Sequence, residues 1–141
     1  MSIKIELEFH IQNQDIQLLT QGISEYAKLK KGHAPIEAFA FFIKDDNGVI
    51  HGGCNGNIGY GWIYVDQLWV EEALRGKGYG KQLMELAENL GKEKGCISAA
   101  VNTMDWEAPE FYKKLGYRIE FERHGLTKNS VFYFLRKDFK I

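Results

Sequence analysis

The chain opens with a strict alternation of apolar and polar residues, MSIKIELEFH. A period of two predicts a half-buried β-strand and is not the pattern of a signal peptide. The period then becomes helical, in a segment that Asp15 can cap and that a basic run ending at Gly32 closes. The apolar residues at helical spacing in this segment are Ile16, Leu19, Ile23 and Tyr26.

The remaining patterns predict strands and helices in a recognisable order. Asn47-Gly48 lies between two β-rich runs in AFAFFIKDDNGVIHGG, which predicts a hairpin. The aromatic and β-branched run GWIYVDQLWV predicts a central strand. Further along, we expect a helix over residues 79–94, a strand in CISAAVNT, a short helix around APEFYKKLG, and final strands in YRIEFER and SVFYFLRKDF. Hairpins followed by helical crossovers predict an α/β fold of the α+β type, with helices covering a mixed sheet.

Composition narrows the classes of protein. The 141 residues, 45% of them apolar and 26% charged, predict one domain over residues 1–141. A net charge of −1 argues against binding nucleic acid through a general basic field. No apolar run has membrane-spanning length, so we expect a cytoplasmic protein. Cys54 and Cys96 have no second Cys or His at ligand spacing, so we interpret them as reduced packing residues and expect no metal.

A glycine-rich turn, LRGKGYGKQL, carries the clearest chemical signal. Glycines at alternate positions let backbone N–H groups approach a ligand, and the following helix adds the positive end of its dipole. Basic residues supply further positive charge at the rim. The glycines are Gly76, Gly78 and Gly80, and the basic residues are Arg75, Lys77 and Lys81. The turn is therefore predicted to bind phosphate, in front of a helix that buries Leu83, Leu86, Ala87 and Leu90.

Two common nucleotide folds do not fit this turn. A Walker P-loop needs Ser or Thr after Gly-Lys, but Gln82 follows Gly80-Lys81 and has no hydroxyl for magnesium. A dinucleotide fingerprint reads G-x-G-x-x-G in a leading βαβ unit, whereas this G-x-G-x-G turn follows hairpins in mid-chain. A plain strand-to-helix connection would need one glycine rather than three.

Two motifs resemble those of the GNAT superfamily of acyl-CoA-dependent N-acyltransferases. The first is Val70, a four-residue spacer and RGKGYG; the second is Ala108, Phe111-Tyr112 and Leu115-Gly116-Tyr117, within WEAPEFYKKLGY. The order of the predicted elements over the whole chain is also similar to that fold. The resemblance implies a mixed, mostly antiparallel sheet of six to seven strands flanked by helices. The sheet would be splayed between residues 62–70 and residues 96–103.

The same resemblance implies where acetyl-CoA, the cosubstrate, would bind. Its pyrophosphate would lie on the amides of residues 75–81, and its pantetheine arm would pair with the strand before them. The residues implied to bind the cosubstrate are Leu68, Trp69, Val70, Arg75, Gly76, Lys77, Gly78, Tyr79, Gly80 and Lys81.

The chemistry of acetyl transfer assigns two further roles. The attacking amine must lose a proton, and many relatives have an acidic residue at the position of Asp66, where it acts as a base through water. The departing thiolate needs an acid, and Tyr112 matches the family's position for it. Asp66 could equally be a strand-end carboxylate paired with a lysine, and His51 or His124 could serve as base. Asp105 stands where many relatives carry a CoA-binding Asn, so its contact with CoA is an open question.

The amine acceptor is left open by the sequence. Tyr60, Trp62 and Tyr64 alternate and would share one face, either as core packing or, with Asp105, Glu107 and Glu110, as a site for a cationic amine. The three acids could instead only cap the helix that starts at Pro109. Polyamines, amino sugars, amino acids and protein amines all fit, and a homodimer stays an open alternative. A catalytically silent acyl-CoA-binding sensor would keep the turn but would not need Tyr112.

Overall fold

The computed structural model describes residues 1–140; Ile141, the last residue of the predicted domain, lies outside them. Contacts divide the chain into a first unit, Met1–Ile36, and a second unit that begins at Glu37. A single domain over residues 1–141 stays a prediction. No helix in the described part of the chain is both long and apolar enough to cross a bilayer.

The first unit contains one helix, α1 (Asn13–Lys31). Its N-cap is Gln12, so the prediction that Asp15 caps the helix is wrong. Asp15 lies instead in the first turn, where its N–H donates to the carbonyl of Gln12 over 3.1 Å, and its charge favours the positive helix end. The predicted end is confirmed, because Gly32 adopts a left-handed conformation (φ 73°) and its N–H bonds to Lys28.

The predicted first strand does not form. Residues 1–10 have no strand pairing despite their alternating pattern, and the first unit has no other strand among its residues. A strand is stable only when a neighbour satisfies its backbone N–H and C=O groups, and alternation supplies a face but no partner. The sheet therefore has six strands rather than seven.

The second unit is a six-stranded mixed sheet with two helices. Its strands are β1 (Glu37–Lys44), β2 (Ile50–Gly59), β3 (Trp62–Val70), β4 (Ser98–Met104), β5 (Arg118–Arg123) and β6 (Phe132–Asp138). They lie in the order β1-β2-β3-β4-β6-β5, and only the β3–β4 pair is parallel. The helices are α2 (Tyr79–Glu93) and α3 (Pro109–Lys114). The predicted hairpin, central strand, crossover helices and fold class are confirmed.

The β1–β2 turn is held by side chains as well as by Gly48, which is left-handed (φ 79°). The Asp45 carboxylate accepts hydrogen bonds from the N–H groups of Asn47 and Val49. His51 joins this turn to the end of β3, because its ring nitrogens contact Asp45 at 2.7 Å and Glu71 at 2.5 Å. Hydrogen bonds to Asp45 and Glu71 raise the pKa of His51, and the bond to His51 lowers the pKa of Asp45.

Helix α2 packs on the sheet with a slightly different face from the one predicted. Leu83 and Ala87 are buried, but Leu86 is 47% exposed, and Met84, Glu88 and Gly91 are buried instead. The Glu88 carboxylate accepts hydrogen bonds from Tyr117 (3.0 Å) and Lys137 (2.8 Å). Because an unpaired buried charge is costly, this pairing fixes the rotation of α2 against β6 and against the residue that precedes β5. The predicted packing cysteines, Cys54 and Cys96, are free and buried.

Two irregularities of β3 shape the centre of the sheet. β3 and β4 pair only from Trp62 to Val65, against Ser98 to Val101, and then part, which confirms the predicted splay. At the same point β3 bulges, because Asn55 opposes Gln67 while Gly56 opposes Val65. Gly56 is required there, since a Cβ on it would lie 1.8 Å from the carbonyl oxygen of Tyr64.

Replacing Gly56 by Ala should therefore destabilise the sheet. The added methyl group cannot fit against backbone, so we expect a loss of more than ~3 kcal/mol in the free energy of unfolding, measured with urea. Gly22→Ala is the control, because Gly22 lies in α1 with nothing within 4 Å, and Ala is favoured there by ~0.5–1 kcal/mol. Equal stability of the Gly56→Ala and wild-type proteins would contradict this account of the bulge.

The His51 contacts should make stability depend on pH. The raised pKa of His51 means that its contribution is complete below the unfolded value of about 6.5 and is lost as pH rises through the folded value. The lowered pKa of Asp45 adds stability above about pH 4 that is lost in acid. We expect His51→Gln to cost most near pH 5 to 6, and progressively less as pH rises through the raised pKa of His51. The control is His124→Gln, which removes an exposed imidazole that takes part in none of these contacts.

Candidate active site

The glycine turn leaves backbone amides open at the start of α2. Gly76 (φ 77°) and Gly78 (φ 87°) are left-handed, and a Cβ on either would meet nothing within 4 Å. Gly78 is the N-cap and provides no side chain to bond the first helical N–H groups, while the first backbone bond of the helix comes from Gln82 to Gly78. The amides of residues 79–81 therefore have no partner within the helix. Such a terminus, with space in front of it, fits an anion.

The third glycine of the turn has a different role. A Cβ on Gly80 would lie 3.2 Å from the ring of Phe111 on α3. Gly80 thus lets α2 and α3 approach each other, which brings the start of α2 close to the helix that carries Tyr112. Of the three predicted phosphate-cradle glycines, two face open space and one serves helix packing.

The basic residues of the turn differ in their surroundings, since one is hydrogen-bonded to the backbone and two are exposed to solvent. Arg75 donates from Nε to the carbonyl of Val70 over 2.8 Å, which ties the turn to the end of β3. Lys77 and Lys81 are exposed and take part in no ion pair among residues 1–140. Two flexible cations beside open amides make this end of α2 electropositive.

The β3 segment that precedes the turn has a free edge. β3 pairs with β2 up to Val70, but no residue of β3 after Val65 pairs with β4 in the described part of the sheet. Leu68 and Val70 pack on the core, whereas Trp69 is 54% exposed. A free strand edge can hydrogen-bond an extended ligand, as an added strand would.

Tyr112 is buried beside this segment. It is 6% exposed and lies edge-to-face with Phe111 (5.2 Å) and Tyr117 (5.9 Å). Burial, followed by the charges of Glu107 and Cys54, raises the pKa of Tyr112 to about 12. Cys54 is the cross-strand partner of Leu68, so Tyr112 lies on the side of β3 that faces the helices.

The Tyr112 hydroxyl lies at the edge of the buried region. It has no hydrogen-bond partner among residues 1–140, yet no side-chain oxygen or nitrogen in that range is both buried and unpaired. The hydroxyl must therefore reach solvent although the ring does not. A protonated phenol in that position can donate to a neighbouring atom.

Asp66 lies at the other face of β3, where the splay begins. Its carboxylate is 3.4 Å from the Tyr64 hydroxyl, which also contacts Asn102 Nδ2 at 2.8 Å. The alternating burial of β3 puts Ile63 and Val65 toward α2 and Tyr64 on the opposite face. The two predicted catalytic residues thus flank the opening between β3 and β4 from its two sides.

Four other residues considered from sequence, Asp105, Glu107, Glu110 and His51, have structural partners, whereas His124 is exposed just after β5. Asp105 is paired with Val131 through both its backbone and its carboxylate, and Glu107 accepts a hydrogen bond from the Met104 N–H. Glu110 pairs with Lys113 along α3. These three acids thus make local contacts in the segment after β4 and along α3, and none of them caps the start of α3 through its side chain. His51 is engaged by two carboxylates, as described above.

The alternating aromatic residues Tyr60, Trp62 and Tyr64 do not all pack into the core. Tyr60 belongs to the β2–β3 turn, with φ 54°, so only Trp62 and Tyr64 share the strand face. Trp62 is 40% exposed, Tyr64 is half-buried, and their ring centroids are 5.6 Å apart. Both residues lie in the part of β3 that pairs with β4, just before the two strands separate.

Sequence reasoning missed two neighbours of the site, Asn102 and Cys54. Asn102 is the first β4 residue beyond the paired segment and reaches Tyr64. Asp66 and Asn102 are each the first residue after the paired segment of their strand, and both are polar. This shared position is a signal that could have identified Asn102. Cys54 had no local signal, because its nearness to Tyr112 depends on the packing of α3. Among residues 1–140, no three His, Cys, Asp or Glu side chains are grouped to hold a metal ion.

Comparison with known proteins identifies relatives of the same kind. The model of the acetyltransferase (GNAT) family matches residues 10–117. Blasticidin-S acetyltransferase of Streptomyces morookaense is 40% identical over 86 residues, which cover 60% of this chain and 63% of that protein. Acetyltransferase Atu2258 of Agrobacterium fabrum is 36% identical over 75 residues, 53% of this chain and 55% of its own. The chain thus spans less than two thirds of these curated relatives.

Solved structures share the architecture. An acetyltransferase from Agrobacterium tumefaciens superposes with a TM-score of 0.81 and 25% identity, over 97% of this chain and 100% of its own. A streptothricin acetyltransferase from Bacillus anthracis, crystallised with acetyl coenzyme A, has a TM-score of 0.65 and 20% identity over 72% of this chain and 62% of its own.

The family match spans both motifs, and the fold contains the splayed sheet and the open helix terminus that they imply. The chain belongs to the acetyltransferase (GNAT) family, whose members transfer an acetyl group from acetyl-CoA.

Proposed function

We propose that this protein is an N-acetyltransferase that transfers the acetyl group of acetyl-CoA directly to a primary amine while both are bound. The observation that carries the proposal is the open amide terminus of α2, which lies next to the free edge of β3 and the helix of Tyr112. One surface thereby offers sites for a pyrophosphate, an extended arm and a departing thiolate.

The donor would be held mainly by backbone. Its pyrophosphate would accept hydrogen bonds from the amides between Gly76 and Lys81, with Lys77 and Lys81 as counter-charges. Its pantetheine arm would pair with the free edge of β3 at Leu68, Trp69 and Val70. Since the chain is nearly neutral overall, this local site rather than a general field would select the anion.

Direct attack requires three proton movements, because the nitrogen loses one proton before it attacks and a second once it is bonded to the carbonyl carbon, while the departing sulfur gains one. An alkyl ammonium with a pKa near ~10.4 must lose a proton before its nitrogen attacks the carbonyl, and Asp66 would receive that proton through water. A β3 amide would stabilise the oxygen as charge develops on it. Tyr112 would then donate its proton to the sulfur as the C–S bond breaks, because its raised pKa keeps the phenol protonated at neutral pH. The second proton of the nitrogen, lost as the amide forms, would pass through water to the tyrosinate and restore the phenol.

A small amine is the acceptor class that we favour. Trp62 and Tyr64 form an open aromatic face beside Asp66, which suits a cationic molecule before it is deprotonated. Two relatives are named for small amines. The Streptomyces protein above is named for blasticidin S, and an enzyme from Sus scrofa that is 31% identical over 65 residues is named for thialysine.

A screen of amines with acetyl-CoA tests the proposal by following free thiol. It should include blasticidin S, thialysine, a streptothricin, spermidine and a peptide with a free N-terminus. We expect thiol release with at least one small amine. Tight CoA binding without thiol release from any of them would favour the silent acyl-CoA-binding alternative.

Gly78→Ala should weaken CoA binding at least tenfold in calorimetric titration. The methyl group would occupy the space in front of the helix amides, and one charged hydrogen bond is worth roughly 1.5–3 kcal/mol. Gly95→Ala is a matched control, because Gly95 is equally left-handed (φ 82°), is equally open, and lies at the other end of α2. If both variants bind CoA as the wild type does, the glycine-rich turn is not the phosphate site.

Asp66→Asn should slow turnover most at low pH, where the neutral amine is scarcest. We expect a loss of roughly 10²–10⁴ in kcat/KM for the acceptor if Asp66 is the sole base, with little change in acetyl-CoA binding. The measurement is a pH–rate profile of both proteins. A profile unaltered in height and shape would leave Asp66 with a structural role.

Tyr112→Phe should separate binding from catalysis, because it keeps the ring packing and removes the proton donor. We expect kcat to fall roughly 10²–10³-fold while the Kd for acetyl-CoA stays nearly constant. Stopped-time thiol assays and calorimetry measure the two quantities. A variant that matches the wild type in kcat would show that water or another group protonates the sulfur.

A further inference from the structure

A three-residue hydrogen-bond chain crosses the opening between β3 and β4. Asn102 Nδ2 donates to the Tyr64 hydroxyl over 2.8 Å, and that hydroxyl lies 3.4 Å from Asp66 Oδ1. The chain starts on β4 and ends on β3, one residue beyond the last paired residues of each strand, Val65 and Val101. It is thus the first side-chain connection across the point where the strands part.

The direction of this chain follows from its chemistry. An amide NH₂ group can only donate, so the Tyr64 oxygen accepts from Asn102 and its own proton is available to Asp66. An ionised carboxylate only accepts, and its two oxygens have more lone pairs than one hydroxyl uses. Asp66 can therefore be held by Tyr64 and still accept a proton from another molecule.

Packing holds the Tyr64 ring in the orientation that this contact needs. The ring is half-buried and leans on Trp62, with an interplanar angle of 33°. The β3 bulge, which Gly56 makes possible, changes the backbone direction immediately after Tyr64 and Val65. Burial and then the Asp66 carboxylate raise the pKa of Tyr64, so the hydroxyl stays a donor at neutral pH.

We propose that Tyr64, itself oriented by Asn102, is a positioning residue that holds the Asp66 carboxylate toward the acceptor amine at the mouth of the splay. This inference rests on the proposed function, in which Asp66 takes the proton of the amine. Tyr64 acts through Asp66 and does not itself exchange a proton with the amine. Its removal should therefore matter only while Asp66 can act as a base.

The first test reads the hydrogen bonds without any enzymatic activity. The ionisation of Tyr64 is followed by the ultraviolet absorbance of tyrosinate, as the difference between each protein and its Tyr64→Phe counterpart. Asp66→Asn should lower the pKa of Tyr64, because a nearby negative charge is lost, and Asn102→Ala should raise it, because a donor to the phenolate is lost. Asn89→Ala, on the exposed side of α2, is the control and should leave it unchanged.

The second test is a double-mutant cycle in the acetyl-transfer assay, with the amine from the screen that releases thiol fastest. Tyr64→Phe should lower acceptor kcat/KM about fivefold to tenfold and leave the KM for acetyl-CoA unchanged. In an Asp66→Asn background the same change should have less than about a twofold effect.

The outcomes separate this inference from the function on which it rests. If Asp66→Asn slows the reaction but Tyr64→Phe costs the same in both backgrounds, the proposed function stands and positioning by Tyr64 is overturned. If Asp66→Asn changes nothing, both the base assignment and this inference fail. If no amine releases thiol, both the proposed function and this inference fail. If the tyrosinate titration of Tyr64 is the same in the Asp66→Asn and Asn102→Ala variants as in the wild type, the hydrogen-bond chain itself is refuted.

Discussion

The short pairing between β3 and β4 is the constraint on which the site depends. The two strands share backbone hydrogen bonds only over Trp62–Val65, in the one parallel contact of the sheet, and then separate. On their other sides, β3 pairs with β2 and β4 pairs with β6, both in antiparallel fashion. The sheet therefore stays intact on both sides of the gap. The result is a free backbone edge inside a stable layer, which ordinary sheets show only at their margins.

Glycine serves two opposite purposes around this gap. Gly56 and Gly80 are positions where other atoms come too close for a side chain, a backbone carbonyl in one case and the Phe111 ring in the other. Gly76 and Gly78 have empty space around them and a left-handed backbone. Close packing thus fixes the bulge and the contact of α2 with α3, while open glycines leave the helix amides accessible. Glycine thus permits close packing at two positions and keeps the ligand-facing amides accessible at two others.

The parts of the structure that follow from local sequence were predictable. The Asn47-Gly48 hairpin, the helix that ends at Gly32, and the turn before α2 each depend on residues within a few positions of one another. What failed depends on distant partners. MSIKIELEFH has the pattern of a strand but pairs with no other strand. Leu86 is exposed because Glu88 sets the rotation of α2 through its hydrogen bonds with Tyr117 and Lys137. At the site, Tyr112 and the turn could be identified from motifs, whereas the connection from Asn102 through Tyr64 to Asp66 exists only once β3 and β4 are neighbours.

A crystal structure of the protein with CoA measures the central claim most directly. We expect the pyrophosphate oxygens within about 2.7–3.2 Å of backbone nitrogens in the turn of Gly76 and Gly78. The arm should lie along the free edge of β3, with its sulfur in the gap beside the Tyr112 hydroxyl. A CoA molecule whose phosphates lie away from the start of α2, or whose sulfur lies outside the gap between β3 and β4, would contradict the account.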